Sequence, residues 1–152
     1  MGSHALTRVP PAGELQQDGR LTVTELAGVG LSLSPCHRRL RALEKSGAIS
    51  GYHAHLDANA LGLTFEALAF ATMRAGDRDT VDAFEQAVAA IRQVLQAQRL
   101  FGDPDYLLRI ISADLPAFQE LYDNRLATLP GVQRLSSTLV MKSVVANRPL
   151  PL

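Results

Sequence analysis

The sequence predicts an α+β protein: a helix-turn-helix near the N-terminus, then a ferredoxin-like βαββαβ domain. Two observations lead there. Leu33, Cys36, Leu40 and Leu43 recur at spacings of three, four and three, the signature of one buried helix stripe, and a cationic face runs along the other side. Beyond residue 62, apolar alternation and helical spacing succeed one another in the order strand-helix-strand-strand-helix-strand. The boundaries expected are 5–50 for the helix-turn-helix domain, 51–62 for a strand and hinge linker, and 63–152 for the ferredoxin-like domain.

Composition narrows the classes of function. A chain of 152 residues with 47% hydrophobic residues buries a core without disulfide staples, and its composition is not that of a disordered protein. Fifteen basic residues balance fifteen acidic ones, so bulk attraction to nucleic acid or anionic lipid is not expected. The balance hides an asymmetry, because residues 1–50 carry a net +2 (Arg8, Arg20, Arg38, Arg39, Arg41 and Lys45 against Glu14, Asp18, Glu25 and Glu44). The single cysteine, Cys36, forms no intramolecular disulfide and no metal site by itself. The absence of a signal-peptide pattern points to a cytoplasmic protein.

The elements follow in order. Residues 6–13 include Pro10 and Pro11, which forbid a regular helix except at its first turn. Residues 22–29 read as a short helix with Val23, Leu26 and Ala27 inward; Gly28 weakens it by about 1 kcal/mol relative to alanine. A tight connection through Gly30 and Leu31 leads to the basic helix, expected over 32–46. Ser32 is its candidate N-cap, Pro35 falls in the first turn, and Gly47 suits its end. Ser34, Arg38, Arg41 and Lys45 share the outer face, flanked by His37 and Arg39. Two short helices joined by a glycine-containing turn form a helix-turn-helix, whose second helix enters the DNA major groove. Residues 48–56 alternate enough for a strand or small wing, and 57–62 are turn-prone and polar, suiting a hinge.

In the second part, 64–73 is strand-like and apolar on both faces, with Phe65, Ala67, Ala69, Ala71 and Met73 against Leu68 and Phe70. Helices cover one face of such a sheet, and a second copy of the chain is the simplest cover for the other. A helix capped by Asp79 buries Val81, Phe84, Val88 and Ile91. Strands 94–101 and 106–112 flank the turn Gly102-Asp103-Pro104-Asp105. Asp114 caps a second helix with Pro116 in its first turn; Pro130-Gly131 ends it, and 132–145 is the last strand.

Several segments together resemble the leucine-responsive regulator/asparagine-operon regulator (Lrp/AsnC) family of prokaryotic transcription factors. They are Asp18-Gly19-Arg20, Glu25-Leu26-Ala27, Gly30-Leu31-Ser32-Leu33-Ser34-Pro35-Cys36-His37-Arg38-Arg39-Leu40, Gly47-Ala48-Ile49, Gly51-Tyr52, Gly102-Asp103-Pro104-Asp105-Tyr106 and Leu129-Pro130-Gly131-Val132. The resemblance spans roughly residues 15–152. It departs from the family in its proline-containing N-terminus and in a run before Gly30 that is one residue short. What it implies is a DNA-binding regulator whose second domain dimerises, assembles further into tetramers or octamers, and binds an amino acid between dimers.

On that reading Ser34, His37 and Arg38 reach base edges, Arg41 also points outward, and Arg39 and Lys45 meet phosphates of double-stranded promoter or operator DNA. Leu100, Gly102, Asp103, Asp105 and Tyr106 are the effector-binding candidates: aspartate pairs with an α-ammonium, and backbone amides opened by Gly102 receive a carboxylate. The bland readings are a solvated helix face for the cations, ordinary turn chemistry for the aspartates, and a small buried hydrophobe for Cys36. A sensor module that has lost DNA binding is the alternative function. An enzyme is not expected: His37, His53 and His55 have no carboxylate or thiol at ligand spacing, and there is no glycine-rich phosphate loop, nucleophile elbow or Cys-x-x-Cys. No cofactor, metal or membrane partner is implied.

Overall fold

A computed structural model describes residues 10–28 and 32–151. The chain divides into two compact units, one comprising Met1–His55 with Val144–Leu152 and the other Leu56–Ser143. The expected boundaries placed residues 144–152 with the second domain; the structure groups them with the first. Local bonds account for this. The Gln16 side-chain amide donates to the Leu150 carbonyl at 3.5 Å and accepts from the Leu150 amide at 2.6 Å, and Asn147 hydrogen-bonds His55.

The first unit is helical. The first helix, α1 (Pro10–Gln17), opens on the adjacent prolines, in the one turn where a missing N–H loses no bond. The expected turn at Gly30 and Leu31, residues 6–9 and Val29 lie outside the described residues. Next comes α2 (Val23–Ala27), which is shorter than expected because Thr22 stands outside it as the N-cap and Gly28 closes it. Then α3 (Leu33–Lys45) buries Cys36 and Leu43 and packs against both α1 and α2. Leu33, expected on that stripe, is 54% exposed. Ser32 has the extended backbone of an N-cap, but its hydroxyl makes no capping bond. Gly47 takes φ 76°, a left-handed conformation that glycine adopts at least cost.

The strand expected at 48–56 does not form. A strand needs a partner edge, and residues 50–57 have none among the described residues. Tyr52 holds this segment instead, its hydroxyl donating to Glu44 Oε1 at 3.0 Å.

The second unit is a four-stranded antiparallel sheet in the order β2-β3-β1-β4. The strands are β1 (Phe65–Met73), β2 (Val94–Arg99), β3 (Tyr106–Ser112) and β4 (Val132–Leu139); the helices are α4 (Arg78–Ala89) and α5 (Leu115–Leu121). A π-helical turn, Tyr122–Leu126, continues α5 where a regular helix was expected. Ala67, Ala69 and Ala71 of β1 and Tyr106, Leu108 and Ile110 of β3 line one face, closed by Phe84, Val88, Phe118, Leu121 and Leu126. Small alanines on the central strand let the helices approach closely.

Some boundaries differ from expectation. Asp77, not Asp79, caps α4, accepting from the Thr80 amide at 3.0 Å. Asp114 caps α5 as expected. The second strand stops at Arg99, leaving Leu100 and Phe101 in the hairpin, and the last ends at Leu139 rather than 145. Gly131, which starts the return into β4, has φ 72°, and a Cβ there would meet Thr80 Cγ2 at 2.2 Å. Glycine is therefore required twice over, by backbone conformation and by close approach.

Candidate functional site

In the first unit, α2 sets the platform for α3. Thr22 and Glu25 form a reciprocal capping box: Glu25 N donates to Thr22 Oγ1 at 3.3 Å, and Thr22 N donates to Glu25 Oε2 at 2.7 Å. The bonds from the Thr22 backbone and hydroxyl hold the Glu25 carboxyl below its usual value. With Leu26 and Cys36 buried, α3 turns its polar side outward, and Ser34, His37, Arg38, Arg39, Arg41 and Lys45 are all exposed.

Four of these six residues come together. Ser34, His37, Arg38 and Arg41 line a hollow of about 540 Å³ whose other wall is Val23, Thr24 and Leu33. Arg39 and Lys45 lie elsewhere on the helix. Arg38, Arg39, Arg41 and Lys45 form no ion pair among the described residues, so their charge is available to an external anion. Cys36 is fully buried and takes no part.

In the second unit, the hairpin between β2 and β3 sorts the effector candidates into separate environments. Gly102 and Asp103 are exposed at its tip, and Leu100 at its base is 37% exposed. Asp103 Oδ1 accepts from Thr72 Oγ1 at 3.2 Å and faces Arg134 Nη2 at 3.5 Å. Thr72 and Arg134 were not foreseen from the sequence. They meet Asp103 because β1 and β4 pair them directly, a register that no local motif announces.

Asp105 is turned inward: its Oδ2 accepts from the Met73 amide at 2.7 Å, and its own amide donates to the Ala71 carbonyl at 3.0 Å. Tyr106 is 3% exposed on the helix-covered face and donates to Glu85 Oε1 at 2.7 Å, its ring tilted against Phe84 with centroids 4.5 Å apart. The structure thus leaves Asp103 and Gly102 together at the hairpin tip and takes Tyr106 away from them.

His53 and His55 lie in the segment 50–57, which forms no strand. No group of three or more His, Cys, Asp or Glu residues arranged to hold a metal occurs among the described residues. No helix among them is long and apolar enough to cross a membrane.

Comparison with known proteins fits this geometry. Residues 13–50 match a winged helix-turn-helix DNA-binding family, and residues 66–150 match the Lrp/AsnC ligand binding domain. The chain belongs to the Lrp/AsnC family. This Lrp/AsnC regulator is 37% identical over 139 residues to the Bkd operon transcriptional regulator of Pseudomonas aeruginosa, covering 91% of each chain. It is 36% identical to the leucine-responsive regulatory protein of Escherichia coli K12, covering 90% of this chain and 84% of that one. A transcriptional regulator of Neisseria meningitidis, crystallised with L-methionine, superposes with a TM-score of 0.87 at 35% identity, covering 92% and 91% of the two chains. Like these relatives, this Lrp/AsnC regulator is a DNA-binding transcriptional regulator with a ligand-binding domain, and it is not an enzyme.

Proposed function

We propose that the regulator reads operator DNA through the outward face of α3, and that an amino acid or related small molecule at the hairpin tip modulates it. The observation that carries the DNA reading is the gathering of Ser34, His37, Arg38 and Arg41 around one hollow with no intramolecular counter-ion among the described residues. Arg38 and His37 reach base edges, where a forked guanidinium reads guanine; Arg39 and Lys45, outside the hollow, contact phosphates. In this reading residues 5–50 form the DNA-binding domain, 51–62 the linker and 63–143 the effector domain, with the tail from Val144 grouped with the first unit, and the protein works in the cytoplasm.

The leucine-responsive name of one relative and the L-methionine bound to another support an amino-acid effector. Asp103, exposed beside Thr72 and Arg134, offers a carboxylate to an α-ammonium, and Arg134 a guanidinium to the carboxylate. The effector sits between dimers, and it shifts assembly by binding one state better than another.

Gel retardation on a cognate operator tests the assignment. Replacing Arg38 with alanine is expected to lose about 1–3 kcal/mol on that site and to blur specificity. Replacing Lys45 weakens all sequences alike and flattens the dependence on salt. An Arg38→Ala protein that binds operator as tightly as the parent overturns it.

A further inference from the structure

The effector domain holds a second cavity, away from the hairpin tip. It occupies about 430 Å³ between the C-terminal half of α4 and the edge strand β2. Val88, Ala89, Val94 and Leu95 supply an apolar wall, and Glu85, Arg99 and Tyr106 supply the polar groups. The register pairs Arg99 with Tyr106 and Ala97 with Leu108, so Arg99 projects on the helix-covered side, beside the phenol. Neither Gly102 nor Asp103 borders this space.

Each charged group here keeps unused bonding capacity. Tyr106 donates to Glu85 Oε1, and Oε2 has no hydrogen bond among the described residues. Arg99 forms no ion pair among them. Both charges act on the phenol: burial and then Glu85 push Tyr106 up to about 12, while Arg99 pulls the other way. Leu95 is half exposed on the cavity wall, an apolar surface without a cover.

We propose that this cavity is a second small-molecule site, taking a zwitterionic amino acid with an apolar side chain. Arg99 receives its α-carboxylate, Glu85 Oε2 its α-ammonium, and Val88, Ala89, Val94 and Leu95 its side chain. A simple carboxylate would meet Glu85 as a like charge, and a simple amine would meet Arg99; only a molecule with both charges satisfies the pair. An apolar wall with a few convergent polar groups is the usual character of small-molecule sites, and the volume is ample for one amino acid. The site is complete within one protomer, so its occupancy does not depend on assembly or on the hairpin site.

The test is calorimetric titration of the full chain with L-leucine and with L-methionine, with hydrogen-exchange mass spectrometry to locate the protected segments. Arg99 and Glu85 are exposed, so Arg99→Gln and Glu85→Gln proteins are expected to fold, which circular dichroism checks. Each substitution should weaken one binding event by about tenfold or more and remove ligand-dependent protection over residues 84–99, while Asp103→Ala leaves that event and that protection intact and weakens only binding at the hairpin tip. If neither amino acid protects 84–99 at concentrations up to about 10 mM, or if both variants bind and protect as the parent does, the proposal is wrong. Protection confined to residues 100–105 overturns it and leaves the hairpin site standing. Binding lost in Arg99→Gln but unchanged in Asp103→Ala supports it and removes the hairpin site.

Discussion

Asp103 and Asp105 stand two residues apart in one turn and do different work. The sequence presents them as equivalent turn aspartates; what separates them is the end of β1, about thirty positions earlier, which supplies the Met73 amide to one and the Thr72 hydroxyl to the other. Asp105→Ala leaves the Met73 amide without its acceptor, and urea unfolding should show a loss of about 1–3 kcal/mol. Asp103→Ala touches only exposed partners and should stay within about 0.5 kcal/mol of the parent, its effect falling on ligand binding instead. The reverse order of stabilities would show that the hairpin is pinned at its tip. On α3, by contrast, the individual residues were legible. The spacing of Cys36 and Leu43 fixes the buried side, so the outward side chains follow from helix geometry alone, and Arg41 joins Ser34, His37 and Arg38 by the same three- and four-residue steps.

Among the elements, caps decide more than propensity. With only five residues, α2 is too short to persist alone, and it depends on packing and on the Thr22–Glu25 box. Because the Thr22 backbone and hydroxyl bonds hold the Glu25 carboxyl below its usual range, its contribution to stability is present above the ordinary carboxylate pKa and disappears as pH falls through the lowered value. Thr22→Ala should cost roughly 1 kcal/mol at neutral pH, and the gap between parent and variant in thermal melts should narrow toward pH 3. A gap that widens on acidification would mean that the box does not form. Helical stripes announced α3 nearly to the residue and placed α4, though its cap is Asp77 and Ile91 lies past its end. Strand ends were not announced, because pairing length belongs to the partner: β4 stops where β1 begins, the last bond running from Val140 N to Glu66 O. The apolar residues beyond, Met141, Val144 and Val145, look strand-like in sequence and have no edge to join.

At the scale of the whole molecule, the uncovered face of the sheet sets the expectation of assembly. Leu68, Phe70, Leu107 and Ile111 lie on it, around a bidentate ion pair in which Arg109 Nε and Nη2 donate to Glu66 at 2.6 and 3.2 Å. A second copy laid on this face would bury on the order of 2,000 Å² or more, as obligate interfaces do. Light scattering should therefore give a multiple of 16.4 kDa, and Phe70→Asp should reduce it toward the single-chain mass. A parent protein already at 16.4 kDa removes the idea. The assignment of Val144–Leu152 to the same unit as the N-terminal helices has a different kind of consequence. The effector unit is topologically an insertion within the DNA-binding unit, and the chain passes between them twice, at His55/Leu56 and at Ser143/Val144. Two covalent tethers, instead of one, therefore join the sheet to the unit that carries α3. A single cut at the first crossing leaves the tail still bonded to Gln16, so the reading head stays on its leash.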